Sequence, residues 1–124
     1  MRYAIYPFGG AAVKLVTQIG HVHAMDLLLT GRLVDATQAQ RIGLINEIVP
    51  ADQLMPWALA KAEAIAANSP AAVWAVKTQI SAMAADHAQA REALDQKLGD
   101  RVRASPDFAE GIAAFREKRA ARYE

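Results

Sequence analysis

At 124 residues the chain fits a single domain, but its 53% hydrophobic content includes 28 alanines, which bury little area each. A free-standing core is therefore expected to be thin, with a second chain or a further segment completing it. Fourteen Lys and Arg against thirteen Asp and Glu leave a net charge of +1, which argues against nucleic acid or an anionic membrane as partner, and the lack of cysteine excludes disulfides and thiolate chemistry and fits a cytoplasmic protein.

The chain opens on "RYAIYPFGG", an aromatic and apolar run that meets a turn and passes straight into a helix. Pro7, Gly9 and Gly10 interrupt the run and a single Arg precedes it, so it does not read as a secretory leader. No stretch of about eighteen apolar residues follows that could span a bilayer. Ala12, Leu15, Val16 and Ile19 recur at three and four, predicting an amphipathic helix that Gly20 closes. "HVHAMDLLLTG" predicts a second, ending at Gly31. Asp35, with Gln38 three residues on, has the form of a capping box, and the short helix that follows is stopped by Gly43.

"LINEIVP" changes the period: Leu44, Ile45, Ile48 and Val49 read as a strand that Pro50 ends. Helix returns from Asp52 to Asn68, with Asp52 as cap and Pro56 in the first turn. "NSPAAV" and "ASPDFAEG" share one device, a Ser followed by Pro at the first helical position, and start helices near Pro70 and Pro106. Between them Ala90, Leu94, Leu98 and Val102 predict a helix from about His87 to Arg103. The fold class is thus mainly α, with one or two short strands.

Candidate chemistry is sparse. His21 and His23 point to different helix faces, His87 beside Asp86 reads as a cap or surface residue, and no metal site is expected. No nucleophile elbow, Walker loop or dinucleotide fingerprint occurs, so no catalytic residue is assigned. Gly9 and Gly10 at a helix start could expose N–H groups to an anion, or could serve a tight turn and close helix approach. With no acid or base nearby in sequence, the turn is the stronger reading. In the last helix Phe108, Ile112 and Phe115 share one face, while Arg116, Lys118, Arg119 and Arg122 crowd the final turns. These cations suit a solvated end that complements the helix dipole. That is the stronger reading of the residues alone; the sharper one is that Phe115 beside a cation suits a nucleotide-like ligand carrying phosphates.

"YPFGGAAVKLVTQIG", "AMDLLLTGRLVDATQAQRIGLINEIVP", "NSPAAVWAVK" and "SPDFAEGIAAFREKR" resemble, in the same order, the carboxyl-terminal half of enoyl-CoA hydratase/isomerase proteins of the crotonase superfamily. The resemblance implies a spiral of ββα turns followed by a helical region that builds trimers, often paired as hexamers. Residues 1–50 would be the end of the spiral core and residues 51–124 the helical trimerisation region. It implies an acyl-CoA thioester substrate, with coenzyme A as part of that substrate and no other cofactor. Phe115 and Lys118 match the aromatic and lysine that contact the adenine and phosphates of coenzyme A in similar hydratases. Gly9 and Gly10 match the family's glycine-rich pocket turn, which here is one residue shorter.

The family's two oxyanion donors and first catalytic glutamate lie in segments that would precede Met1. Its second glutamate falls immediately before Met1, so the chain is expected to begin at an internal point of a longer fold and to be catalytically incomplete alone. Hydration of a 2-enoyl-CoA ranks first as the reaction of the whole, and double-bond isomerisation second. The alternative is a non-enzymatic helical module, or shortened paralogue, that self-associates or joins full-length relatives. A nucleic-acid binder would rest on Arg116, Lys118, Arg119 and Arg122 alone.

Overall fold

The computed structural model describes residues 3–123. Its elements are α1 (Ala11–Thr30), α2 (Ala36–Arg41), a 3-10 turn (Ala51–Gln53), α3 (Leu54–Ala66), α4 (Pro70–Gln89), α5 (Glu92–Arg103) and α6 (Pro106–Arg116). They group into two compact units, Met1–Val34 with His87–Glu124, and Asp35–Asp86. This grouping reflects packing within the chain.

In the first unit α1 is two helical pieces joined at Gly20, which adopts φ 78° and ψ 164°. The helix restarts at once and ends at Gly31, whose φ of 60° and bond from its N–H to the Leu27 carbonyl (3.0 Å) close it. Arg32 then folds back on Asp26 through Nε (2.8 Å) and Nη2 (2.6 Å), holding that carboxyl below its ordinary range.

The segment from Tyr3 to Gly10 lies as a strap over α5 and α6, and two helical glycines make room for it. A Cβ at Gly99 would run into the Phe8 ring, and one at Gly111 into the Tyr3 carbonyl. Phe8 is further held edge-on by Tyr6, with centroids 5.3 Å apart, and lies under the Arg103 guanidinium at 4.7 Å. Ile19, Ala24 and Ala114 are buried in this unit, so its core is small and built largely on alanine.

In the second unit the Asp35 carboxylate caps α2 by accepting the Gln38 N–H at 2.7 Å. Gly43, at φ 79°, follows the helix, and the Leu44 and Gly43 N–H groups bond back to the Ala39 and Gln40 carbonyls at 2.8 and 3.0 Å. That closure corrects the expected strand. Among the described residues there is no strand, and residues 44–49 are irregular. A strand needs a partner for its backbone groups, and here those groups turn to the end of α2: Ile45 N–H also reaches the Ala39 carbonyl, and Gln40 Nε2 donates to the Asn46 carbonyl at 3.2 Å. Glu47 ties the same segment to α3 through Trp57 Nε1 and Lys61 Nζ.

Two helix boundaries also differ from expectation. Asp52 sits in the 3-10 turn rather than capping α3, which starts after Gln53 with Pro56 in its first turn. The helix expected from His87 to Arg103 divides: α4 runs on to Gln89, and α5 begins at Glu92, with Glu92 and Asp95 in its first turn and Arg101 and Arg103 in its last. Neither α3 nor α4 contains a buried residue, and Leu59, Ile65, Trp74, Val76 and Ile80 stand exposed along them.

Candidate functional site

Ser105 starts α6, accepting the Phe108 N–H on Oγ and placing Pro106 at the first helical position. Ten residues of helix then bring Phe115 to the carboxyl end, where its ring is 64% exposed and meets Tyr3 edge-on at 5.4 Å. α6 ends at Arg116, so Lys118, Arg119 and Arg122 lie beyond the helix; of the four cations expected in its final turns, only Arg116 is there.

The chain leaves α6 through the same closure that ends α2. Arg119 N–H bonds to the Ala114 carbonyl (3.0 Å) and Lys118 N–H to the Phe115 carbonyl (3.3 Å), with Lys118 left-handed at φ 55°. After α2 a glycine holds that position; after α6 a lysine does. The turn brings Lys118 beside Phe115, and the two line a cavity of about 520 Å³ with Tyr3, Arg119, Ala120 and Ala121. Phe115 and Lys118 thus line one cavity. Lys118 carries no ion pair among the described residues.

Arg119 is fully engaged. Its Nη1 and Nη2 reach Glu110 Oε1 and Oε2 at 2.5 and 2.9 Å, and its Nε reaches Glu117 Oε2 at 2.6 Å. Glu110 Oε1 also accepts the Arg122 N–H at 2.8 Å. The Arg119 guanidinium, followed by the Arg122 N–H, holds the Glu110 carboxyl down at about 2, and Glu110 and Glu117 raise Arg119 in turn. Glu110 was not singled out in the sequence because its partner stands nine residues away, outside any helical spacing.

Gly9 and Gly10 are elsewhere in the same unit. Gly10, at φ 70°, is the residue before α1, and a Cβ on it would stand 3.0 Å from that of Ala88. Its N–H donates to Asp95 Oδ2 at 3.3 Å, so that donor is already spent within the protein. Asp95 also accepts the Tyr6 hydroxyl, and burial first, then this bond, raises the Tyr6 phenol above its ordinary value. Tyr6 and Asp95 stand at one side of a cavity of about 570 Å³ whose apolar wall includes Val13, Val16, Leu94 and Leu98. Neither Gly9 nor Gly10 is among the residues that line this cavity or the one beside Phe115 and Lys118.

Among the described residues no group of three candidate ligands could hold a metal, and no helix is long and apolar enough to cross a membrane.

This succession of helices is the crotonase fold over its carboxyl-terminal half. The chain belongs to the enoyl-CoA hydratase/isomerase family, whose profile matches residues 1–124. It superposes on the crystal structure of an enoyl-CoA hydratase/isomerase from Pseudoalteromonas atlantica T6c with a TM-score of 0.86 and 30% identity, over 99% of this chain and 50% of that one. A carnitinyl-CoA hydratase from Mycobacterium avium matches with a TM-score of 0.77 and 35% identity, over 93% and 45%. In sequence it is 42% identical to the enoyl-CoA hydratase EchA19 of Mycobacterium tuberculosis over 123 residues, which are 99% of this chain and 46% of that protein. The chain spans about half the length of the relatives it matches.

Proposed function

We propose that this chain forms the carboxyl-terminal half of an acyl-CoA hydratase or isomerase, with hydration of a 2-enoyl-CoA as the first-ranked reaction. The observation that carries this reading is the family match across all 124 residues, and the Phe115–Lys118 cavity supports it. An aromatic ring beside an ammonium that has no ion pair among the described residues offers stacking to an adenine and charge to its phosphates. Coenzyme A enters as part of the substrate, and no other cofactor is invoked.

In the family's chemistry, preorganised N–H donors hold the charge that develops on the thioester oxygen and two glutamates handle water and proton. The residues of this chain assigned a part are Phe115 and Lys118 for the nucleotide end of coenzyme A and the Gly9–Gly10 turn for the pocket floor. No glutamate of this chain is assigned the proton transfers. Residues 1–50 take the role of the end of the spiral core and residues 51–124 that of the association region, in a cytoplasmic homotrimer or hexamer.

The reading is tested by assaying crotonyl-CoA hydration and coenzyme A binding with the same preparation. Coenzyme A should bind, more weakly with Phe115→Ala or Lys118→Ala, while hydration stays near the uncatalysed rate. Hydration at an ordinary enzymatic rate by these 124 residues would show that catalytic groups lie within them.

A second reading, a non-enzymatic helical association module, is favoured by α3 and α4, whose apolar residues find no buried place in the chain. Light scattering separates the two: a monomer that binds coenzyme A and does not mix with a relative excludes the module.

A further inference from the structure

The turn after α6 places a lysine where the chain elsewhere uses a glycine. Both α2 and α6 end with the same pair of backbone bonds around a left-handed residue, Gly43 in one and Lys118 in the other. A side chain at such a position brings a steric clash that glycine avoids, so the turn after α6 gains from outside support. One carboxylate supplies it. Glu110, one and a half turns back on α6, grips the Arg119 guanidinium with both oxygens and the Arg122 N–H with one of them, fastening the chain on the far side of Lys118. Glu117 holds the remaining face of Arg119 through Nε.

From this geometry we infer that Glu110 is the positioning residue for Lys118: by clamping Arg119 and Arg122 it fixes the turn that presents the Lys118 ammonium to the cavity beside Phe115. Glu110 does not line that cavity and acts only through the turn. The inference rests on the reading of Phe115 and Lys118 as a coenzyme A contact, since it states what keeps that contact in place. The clamp removes conformational freedom before the ligand arrives, and a flexible turn would have to be ordered on binding.

The test titrates coenzyme A calorimetrically into the wild type, Lys118→Ala, Glu110→Gln and the double variant, with helix content and thermal midpoint checked for each. Glu110→Gln keeps an acceptor for Arg122 but loses the charge that holds Arg119. It should weaken coenzyme A about three- to tenfold at unchanged helix content. In the double variant the loss should be no greater than in Lys118→Ala alone, because Glu110 works through Lys118. Losses that add, or a Glu110→Gln affinity equal to the wild type beside a weakened Lys118→Ala, overturn the inference and leave the site reading standing. A wild type that does not bind coenzyme A, or a Lys118→Ala that binds as well as the wild type, overturns both. Should Glu110→Gln fail to fold, Arg119→Lys replaces it: losing the two-pronged grip should weaken coenzyme A by a smaller factor, and an unchanged affinity again refutes the role.

Discussion

Gly10 donates its backbone N–H to Asp95 Oδ2 at 3.3 Å, joining the start of α1 to the first turn of α5 across 85 positions of sequence. The same carboxylate accepts the Tyr6 hydroxyl, so one side chain fixes both the strap and the helix it leads into. Asp95→Ala leaves both donors without their partner, and we expect a loss of about 1–2 kcal/mol in denaturant unfolding. The Tyr6 phenol should at the same time fall toward its ordinary value of 10.0 without reaching it, because burial, the larger cause of its shift, remains. A Tyr6 titration that does not move in Asp95→Ala would contradict the bond.

Gly99 and Gly111 are expected to tolerate a methyl group unequally. At Gly99 the obstacle is the Phe8 ring, which can swing, whereas at Gly111 it is the Tyr3 carbonyl, which belongs to the backbone. Helix propensity favours alanine over glycine by up to about 1 kcal/mol, so Gly99→Ala should end near neutral or about 1 kcal/mol destabilised. Gly111→Ala should cost about 1–3 kcal/mol, because the strap itself must move. Thermal or denaturant midpoints of the two variants decide the order, and equal midpoints would mean that the strap is not seated on α6.

Most helix limits were legible because they rest on local chemistry. Gly20, Gly31 and Gly43 adopt the positive φ that marks an interruption or an end, and Asp35 and Ser105 cap through bonds that span three residues. The segment "LINEIVP" misled because β-propensity describes a strand that has a neighbour, and here its backbone bonds turn back to Ala39. Phe115 and Lys118 could be paired from spacing and from the family resemblance. Tyr3, Glu110 and the left-handed turn at Lys118 could not, since they come together only when the strap and the tail fold back on α6. One available signal went unused: a glycine inside an amphipathic helix, as at 99 and 111, marks a close approach by another part of the chain.

Replacing Lys118 by glycine should separate stability from binding. Glycine accepts a φ of 55° without the clash that a Cβ brings, so Lys118→Gly is expected to unfold about 0.5–1 kcal/mol harder than the wild type. Coenzyme A affinity should fall in the same variant, because the ammonium is gone. Such a trade is common where a site holds its backbone in an unfavourable conformation. A variant that is both less stable and weaker in binding would indicate that the lysine side chain packs in the fold.

The clamp on the tail should respond to acid in a defined window. Glu110 is held at about 2, from an ordinary 4.5, by Arg119 first and the Arg122 N–H second. A depressed carboxyl favours the clamped state fully above its unfolded value and loses that contribution as pH falls from about 4.5 toward 2. The other groups acting on it are Glu117, which shares Arg119, the Arg122 charge, and the Tyr123 hydroxyl. Carboxyl carbon shifts of Glu110 and the amide proton of Arg122, followed together by NMR, should move in that window and with one midpoint. In Arg119→Ala the Glu110 midpoint should rise substantially toward 4.5 but stay below it, since the Arg122 N–H still favours the charged form. A wild-type Glu110 that titrates at its ordinary value would mean that the tail is not latched in solution, and Lys118 would then lack the support its strained turn requires.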